Sequence, residues 1–276
     1  MKIDAHQHFW DIERGDYGWL TPDLKPLYKN FTPADLQPLL KTNDVDGTVL
    51  VQAAPTLAET RYMMSLATDN EFIKGVVGWV DFEANDVQDT ISELAALTKL
   101  VGIRPMIHDI EDTDWMLKEQ FSPVYAQLIR HNLVFDALTR PVHLNNLKQL
   151  LDRHPDLNVV IDHASKPAIE QSEFTPWADS MAEIAATSNA SVKLSGMVTE
   201  AGSDWTVKLL KPYVDHLLEH FGPGRLIWGS DWPVCILAST YDQWHAATNE
   251  LLKSLNAAET ADVFGHNAIR VYGLKV

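Results

Sequence analysis

The sequence Met1-Lys2-Ile3-Asp4-Ala5-His6-Gln7-His8 decides how the rest of the chain is interpreted. It is a short, mostly apolar run that ends in two histidines separated by one residue. Because side chains alternate between the two faces of a β-strand, His6 and His8 project to the same side, with Asp4 one step below them. Two imidazoles on one face at a strand end can bind a metal ion or line a polar pocket. We therefore predict that the first strand leads directly into an active site.

Seven further apolar stretches follow, and segments with helical character separate them. The stretches cover residues 46–54, 74–82, 100–107, 132–138, 157–164, 190–196 and 225–231. The predicted helices cover about 57–68, 85–97, 114–130, 144–154, 177–187, 204–220, 239–255 and 257–274. Such alternation predicts parallel strand pairing through right-handed crossovers, and uninterrupted apolar strands suit a sheet covered by helices. Eight units favour a single α/β domain, a (β/α)₈ barrel over residues 1–276, ahead of an open doubly wound sheet.

Residues 9–30 are irregular and rich in aromatic residues, glycine and proline. A long connection directly after a strand that carries site residues is usually functional. We therefore predict that this aromatic-rich loop lies near the site. The sequence Thr32-Pro33-Ala34-Asp35 then indicates the start of a helix, with a capping hydroxyl followed by proline at the first helical position.

Composition excludes several classes of function. The chain has 22 basic and 38 acidic residues, a formal net charge of −16, which argues against a nucleic-acid partner but not against an anionic small molecule. The single cysteine, Cys235, excludes an intrachain disulfide and fits a reducing compartment. Without a signal-peptide pattern or an apolar stretch of membrane-spanning length, we expect a cytoplasmic protein and no membrane partner. No glycine-rich phosphate-binding motif is present, so we expect no nucleotide cofactor.

Polar residues gather where the strands end, which is where a barrel of this kind carries its site. They are His6, His8, Gln52, Arg104, His108, Asp136, His163, Lys193, Asp231 and Trp232. A structural role is the alternative for each: a core histidine for His6 or His8, and a helix cap for Asp231. For His6, His8, His163 and Asp231 we favour function. No Gly-x-Ser-x-Gly elbow surrounds a serine, so a covalent nucleophile is not expected.

Arg104 and Lys193 have two interpretations that the sequence leaves open. An unpaired cation inside a strand would cost several kcal/mol. Each is therefore either held in an ion pair, to which Asp136 could contribute, or directed at an anionic group of a substrate. Gln52, His108 and Trp232 are weaker candidates for the pocket wall.

A set of motifs spans nearly the whole chain. The set consists of Asp4-Ala5-His6-Gln7-His8-Phe9-Trp10, Val49-Leu50-Val51-Gln52-Ala53, Gly102-Ile103-Arg104, Asp162-His163-Ala164-Ser165-Lys166-Pro167, Lys193-Leu194-Ser195-Gly196, Gly229-Ser230-Asp231-Trp232-Pro233 and Asn267-Ala268-Ile269-Arg270-Val271-Tyr272-Gly273-Leu274. In this order they resemble the amidohydrolase superfamily, and within it the metal-sparing branch of sugar-acid lactonases. The combination is specific, although each motif alone is weak.

The resemblance implies a distorted barrel with His6 and His8 on strand one, His163 on strand six and the general base Asp231 on strand eight. Members of this branch open lactones of sugar acids (fucono-, rhamnono- or galactonolactone) or of dicarboxylated pyrones. The chain departs from two-metal members because Arg104 replaces their metal-bridging lysine and Asp136 their strand-five histidine. A binuclear centre is therefore not expected. One divalent ion, preferably zinc, held by His6, His8 and Asp231 stays open, as does the absence of any metal.

The predicted function is hydrolysis of a sugar-acid lactone. Asp231 would take a proton from water and return it to the ring oxygen, while His6, His8, His163 or one metal ion would polarise the carbonyl. The predicted substrate contacts are Arg104, Lys193, Gln52, His108, Asp136 and Trp232. A metal-dependent decarboxylase on the same barrel and a non-catalytic sugar-acid binding protein are the alternatives. The sequence leaves a homo-oligomer open.

Overall fold

The computed structural model describes residues 1–276, and its eight strands form one parallel sheet in chain order. The strands are β1 Ile3–Gln7, β2 Gly47–Val51, β3 Ile73–Gly78, β4 Leu100–Ile103, β5 Val134–Ala137, β6 Val159–Ile161, β7 Ser191–Leu194 and β8 Leu226–Trp228. The sheet nearly closes on itself, because the Asp231 amide donates to the His6 carbonyl and the His8 amide to the Trp232 carbonyl, each over 2.8 Å. The predicted (β/α)₈ barrel is confirmed.

Helices cover the sheet between successive strands. They are α1 Pro33–Thr42, α2 Leu57–Asp69, α3 Val87–Ala95, α4 Ser122–Arg130, α5 Leu144–Arg153, α6 Thr175–Thr187, α7 Met197–Glu200, α8 Val207–Phe221, α9 Tyr241–Leu251, α10 Ala257–Ala261 and α11 Asn267–Tyr272. Helix α1 begins at Pro33 as predicted, and the Asp35 carboxylate accepts a hydrogen bond of 2.8 Å from the Thr32 amide. None of the helices combines the length and apolar character needed to cross a membrane.

Two predicted helices are wrong in extent. Within the predicted helix 114–130, the residues before α4 form short 3₁₀ turns, because Pro123 is tolerated only in the first turn of a helix. The predicted helix 257–274 divides into α10, a π-helical turn over Asp262–His266, and α11. This wider turn contains Gly265, where a Cβ atom would lie 2.0 Å from the Met1 carbonyl oxygen, so the helix passes directly against the chain start.

Several strands end earlier than predicted, which places the polar residues in the turns that follow. Arg104 lies directly after β4, His163 after β6 and Asp231 after β8. At His163 the physical reason is a run of four residues with left-handed backbone, His163 to Lys166, with φ between 49° and 61°. A strand cannot continue through this conformation, which costs an L-residue about 1–2 kcal/mol. Burial holds the run in place, and the Trp177 indole donates to the Ala164 carbonyl over 2.7 Å.

The apolar core has two parts. A cluster of 69 buried residues fills the space around the sheet and the helices. A second cluster of 12 joins strand residues such as Val134 and Val160 to Tyr272 in the C-terminal segment. The Tyr272 hydroxyl donates to Asp136 over 2.9 Å, so this segment packs directly against buried polar groups of the site.

Candidate active site

Three imidazoles surround one carboxylate oxygen at the end of the barrel. Asp231 Oδ1 lies 3.3 Å from His8 Nε2, 3.7 Å from His6 Nε2 and 3.9 Å from His163 Nε2. The ring centroids of His6 and His8 are 4.9 Å apart, and those of His6 and His163 are 4.4 Å apart. The structure thus brings together the four residues that the sequence predicts as catalytic.

The turn after β8 fixes the direction of the Asp231 side chain. Asp231 has left-handed backbone (φ 57°), and the preceding Ser230 amide donates to Asp4 Oδ1 over 2.8 Å. The Tyr241 hydroxyl donates to the other oxygen of Asp4 over 3.1 Å. Burial raises the pKa of the Asp4 carboxyl to about 6, although the hydrogen bonds from Ser230 oppose this rise. Asp4 therefore ties the first strand to the turn that carries Asp231.

Hydrogen-bond partners determine the tautomer of His6. Arg104 Nη1 lies 3.2 Å from His6 Nε2, and a guanidinium only donates, so Nε2 accepts through its lone pair. The remaining proton of the neutral ring is then on Nδ1, which lies 3.5 Å from Asp162 Oδ1. Burial lowers the pKa of His6 well below 6.5, and the nearby charge of Lys193 lowers it further. At neutral pH His6 is therefore an uncharged acceptor.

His8 carries its proton on the same ring nitrogen as His6. Its Nδ1 lies 2.7 Å from the Val51 carbonyl oxygen, which only accepts, so Nδ1 carries a proton. Its Nε2 faces Asp231 Oδ1 at 3.3 Å. Two lone pairs would repel at this distance, so the contact is favourable when a proton or a cation lies between the two atoms. This is the point of the site where a proton is most easily held.

His163 lies against glycine and serine. Its Nδ1 is 2.8 Å from Ser195 Oγ, which can donate or accept, so either ring nitrogen can carry the proton. Gly196 has φ 65°, and a Cβ there would lie 2.6 Å from His163 Nδ1, so only glycine allows this approach. Burial lowers the pKa of His163 well below 6.5, which makes the ring neutral at neutral pH.

The pKa of the Asp231 carboxyl is lowered below its ordinary value of 3.8. Burial alone would raise it, but the interaction with His163 and the hydrogen bond from His8 outweigh that effect. Asp231 is therefore ionised and able to accept a proton.

A buried network supports the guanidinium of Arg104. Lys193 Nζ lies 2.5 Å from Asp136 Oδ2 and 3.0 Å from Asp162 Oδ1, and all three side chains are fully buried. Arg104 Nη1 donates to Asp162 Oδ2 over 3.2 Å. Arg104 Nη2 donates to both the main-chain and the side-chain oxygen of Gln52. Of the two interpretations left open for Lys193, the structure shows the ion pair.

Charges in this network compensate one another. Burial would raise the pKa of Asp162, but Lys193, His6 and Arg104 hold it well below its ordinary value. For Asp136 burial prevails and raises the pKa to about 6, against the opposing charge of Lys193. Asp162 is one of the site residues that could not be selected from the sequence. Its only signal is its position beside His163 at the end of a strand.

A cavity of about 210 Å³ opens onto this cluster. Five predicted site residues line it, namely His8, Arg104, His108, His163 and Asp231. Asp109 and Lys166 also line it, and the sequence analysis did not select them. Lys193, Asp136 and Gln52 lie in the buried network instead, and the buried Trp232 ring packs against the Phe31 ring at 5.2 Å between centroids.

The aromatic-rich loop contributes one wall of the pocket. Trp19 lines the cavity, and its indole Nε1 donates to the Ala53 carbonyl over 2.7 Å. The amides of Ala53 and Ala54 donate to the carboxylate of Glu59, over 3.0 Å and 2.7 Å. Glu59 is fully buried, and burial raises the pKa of its carboxyl to about 7. Glu59 thus fixes the turn after β2 on which Trp19 is anchored.

Replacing Glu59 is expected to change how stability depends on pH. The folded-state pKa of about 7 exceeds the ordinary 4.5, so Glu59 contributes most below about pH 4.5, and its contribution is lost as pH rises through about 7. The loss amounts to about 3 kcal/mol. Glu59→Gln should flatten the pH dependence of the free energy of unfolding between pH 5 and 8. Denaturant titrations measure this, with exposed Glu93→Gln as control; parallel curves for wild type and Glu59→Gln would refute the assignment.

Three of the site residues have the donor atoms of a metal site. One ligand atom each from His6, His163 and Asp231 lies within 4.8 Å of the others. Two imidazole nitrogens and a carboxylate oxygen are typical ligands of zinc. The ligand set predicted from the sequence has His8 in place of His163, and it stays a prediction. An ion would compete with Arg104 for the lone pair on His6 Nε2.

Comparison with known proteins identifies the family. Residues 3–274 match the family model described as amidohydrolase. The chain belongs to the amidohydrolase family. It is 42% identical to an L-fucono-1,5-lactonase of Burkholderia ambifaria over 99% of this chain and 95% of the relative. It is 33% identical to an L-fucono-1,5-lactonase of Burkholderia multivorans, over 99% of this chain and 96% of the relative.

A crystal structure of an amidohydrolase from Burkholderia multivorans, with bound zinc, has the same fold. Its TM-score is 0.94 at 33% identity, and all of both chains is covered. The resemblance inferred from the motifs is therefore confirmed. As an amidohydrolase, this chain has Arg104 directly after β4 and an Asp136–Lys193 ion pair between β5 and β7. At these positions the structure has two cations, Arg104 and Lys193, each paired with a carboxylate.

Proposed function

We propose that this amidohydrolase opens the lactone ring of a sugar acid, such as L-fucono-1,5-lactone, by attack of water on the carbonyl carbon. The observation that carries the proposal is the ionised Asp231 carboxylate, within 4 Å of three imidazoles at the base of a small cavity. The two relatives named L-fucono-1,5-lactonase support the choice of substrate.

Asp231 accepts a proton from the attacking water and later returns it. As water attacks, Asp231 Oδ1 accepts its proton, and the contact of 3.3 Å with His8 Nε2 gives that proton a second partner. The carbonyl carbon then becomes tetrahedral with a negative oxygen. When the bond between this carbon and the ring oxygen breaks, the proton passes to the ring oxygen. The product is a hydroxy acid, and no group on the protein is consumed.

His163 and Arg104 stabilise the negative oxygen. When Ser195 Oγ donates to His163 Nδ1, the proton of the neutral ring is on Nε2, 3.9 Å from Asp231 Oδ1. Arg104 lines the cavity, and its buried network holds it rigidly. Donors fixed before the reaction stabilise developing charge without the cost of reorientation. His6 acts through Arg104, since its Nε2 accepts from Nη1.

The cavity suits a single sugar ring. Its volume of about 210 Å³ lies below the roughly 300–1,000 Å³ of pockets for drug-sized ligands. Trp19, Met106, Leu138 and Val234 form apolar parts of its wall. An apolar wall accommodates the C–H face or the methyl group of a deoxy sugar.

A pH-indicator assay with a panel of aldonolactones tests the function. The panel contains 1,5- and 1,4-lactones of six-carbon sugar acids, each corrected for spontaneous hydrolysis. We expect acid release well above the uncatalysed rate for at least one 1,5-lactone. Binding of lactones without acid release would support the non-catalytic alternative, and carbon dioxide release from aromatic acids would support the decarboxylase. No feature of the site favours either alternative over hydrolysis.

We further propose that the site holds at most one divalent ion, zinc, through His6, His163 and Asp231. The donor set and the zinc-bound relative support this proposal. When bound, such an ion lowers the pKa of a coordinated water to about 7 and polarises a carbonyl.

Calorimetric titration of chelator-treated protein with Zn²⁺ measures the stoichiometry. We expect one equivalent or less per chain, and binding at least about tenfold weaker in His163→Gln, which lacks one ligand nitrogen. His131→Gln, far from the cluster and 3.4 Å from Ser92 Oγ, is the control. Two tightly bound equivalents would contradict the proposal. Assays with and without chelator then separate metal-assisted from metal-free hydrolysis.

The cytoplasmic location and the homo-oligomer stay sequence predictions. Cys235 is free and buried, which fits a reducing compartment.

A further inference from the structure

The charges along the pocket wall are unevenly matched. Arg104 faces the Asp162 carboxylate at 3.2 Å, and the Lys166 ammonium is in direct contact with Glu200 Oε1. Each cation of the wall is therefore paired with a carboxylate: Arg104 within its buried network, and Lys166 with Glu200 alone. Asp109 and Asp231 also line the cavity, but the groups closest to them are imidazoles. The wall thus presents two carboxylates without a paired cation.

Glu200 holds the single lysine of the wall. Lys166 ends the left-handed turn after His163 and lines the cavity, with 18% of its side chain exposed. Glu200 ends helix α7 and does not line the cavity. Its carbonyl accepts from the Glu170 amide over 3.1 Å, which fixes the end of α7. The carboxylate of Glu200 therefore holds the Lys166 ammonium from outside the pocket.

Acidic groups also surround the neighbouring space. A second cavity of about 720 Å³ shares Trp19, Met106 and Asp109 with the pocket. Its wall carries six carboxylates and a single ammonium, that of Lys118, which lies 3.0 Å from Glu83. An anion in the pocket therefore meets unpaired carboxylates both within the wall and beside it.

Charge changes during the proposed reaction. The lactone is neutral, whereas the hydroxy acid that it yields ionises well below neutral pH. The substrate is therefore indifferent to unpaired carboxylates, while the product anion is repelled by them. A free ammonium at Lys166 would reverse this preference, because a carboxylate forms strong charge-assisted hydrogen bonds with it.

We infer that Glu200 is a specificity-determining residue: by holding the Lys166 ammonium, it makes the pocket select uncharged lactones and release the carboxylate product. This inference rests on the proposed lactone hydrolysis and names the substrate class more narrowly. Lactones that bear a carboxylate, such as those of uronic acids, are disfavoured for the same reason as the product.

Product inhibition in Glu200→Gln tests the inference. The substrate is the neutral lactone that the wild type hydrolyses fastest, and the inhibitor is the sodium salt of its hydroxy acid. We expect the inhibition constant to fall about tenfold in Glu200→Gln, because the product gains about one charge-assisted hydrogen bond. The difference should shrink in about 1 M salt, where the Debye length is about 3 Å. Adding Lys166→Gln to Glu200→Gln should return the constant toward the wild-type value. Glu183→Gln, which removes one of the two carboxylate partners of Lys148 outside the pocket, is the matched control.

The outcomes separate this inference from the function on which it rests. If wild type hydrolyses no neutral lactone, the proposed function fails. If it does, but the inhibition constant is unchanged in a folded Glu200→Gln, the inference is overturned. Glu200→Asp shortens the side chain by one methylene and keeps the charge, so it should give an intermediate constant. That variant keeps the test decisive if Glu200→Gln does not fold.

Discussion

Asp231→Asn is expected to lower kcat for lactone hydrolysis by about a thousandfold, since the removed group is the general base. An amide has the shape of the carboxylate but cannot accept the proton of the attacking water. The melting temperature should change little, because asparagine keeps the oxygen that contacts His8. Initial rates in a pH-indicator assay and thermal unfolding of the same samples measure both effects. Asp242→Asn is the control, because it replaces an exposed carboxylate that accepts a hydrogen bond from Asn43.

The pH profile distinguishes Asp231 from the histidines as the base. The pKa of Asp231 is lowered below 3.8, so kcat/KM should stay level through neutral pH and fall only below about pH 4. An acid limb between pH 6 and 7 would instead point to an imidazole. Near-normal turnover by Asp231→Asn would contradict the proposed mechanism, whatever the pH profile of kcat/KM.

The fold could be predicted because its signals are local. Each strand is an apolar run, and each is followed by a helical pattern, so counting eight units was sufficient to predict the barrel. The convergence of His6 and Asp231 could also be predicted, since the carboxyl ends of parallel strands meet at one end of a barrel. The observed strands are shorter than the predicted ones, but His6 and Asp231 still converge.

Two kinds of feature could not be predicted from the sequence: unusual backbone conformation, and ion pairs between residues that are distant in the chain. Four consecutive left-handed residues after β6 have no sequence signal, because only one residue type, glycine, favours that region, and none of the four is glycine. The pairing of Lys166 with Glu200 joins residues 34 apart, and that of Lys193 with Asp136 joins residues 57 apart. The sequence showed that a cation within a strand requires a partner, but not whether the partner is substrate or protein.

Lys193→Met is expected to have the largest effect on stability, about 3–5 kcal/mol, because it leaves two buried carboxylates without their shared cation. Asp136 and Asp162 both contact Lys193 Nζ, and all three side chains are fully buried. Methionine nearly fills the same space, so the loss measures charge rather than volume. A change of this size should lower the melting temperature by roughly 10 °C. Lys211→Met, which removes an exposed pair with Asp215, should cost less than about 1 kcal/mol.

The pH dependence of this loss shows its electrostatic origin. Without Lys193, the folded-state pKa of Asp136 rises further above the unfolded value, and Asp162 loses the charge that does most to keep its pKa low. The variant therefore keeps most stability at low pH, where Asp136 can be protonated, and loses it as pH rises through the folded-state pKa of Asp136. Denaturant unfolding at pH 5 and pH 8 should thus show a larger deficit at pH 8. An equal deficit at both values would mean that lost packing, not unpaired charge, destabilises the variant, and Lys193 would then not be the electrostatic support of Arg104.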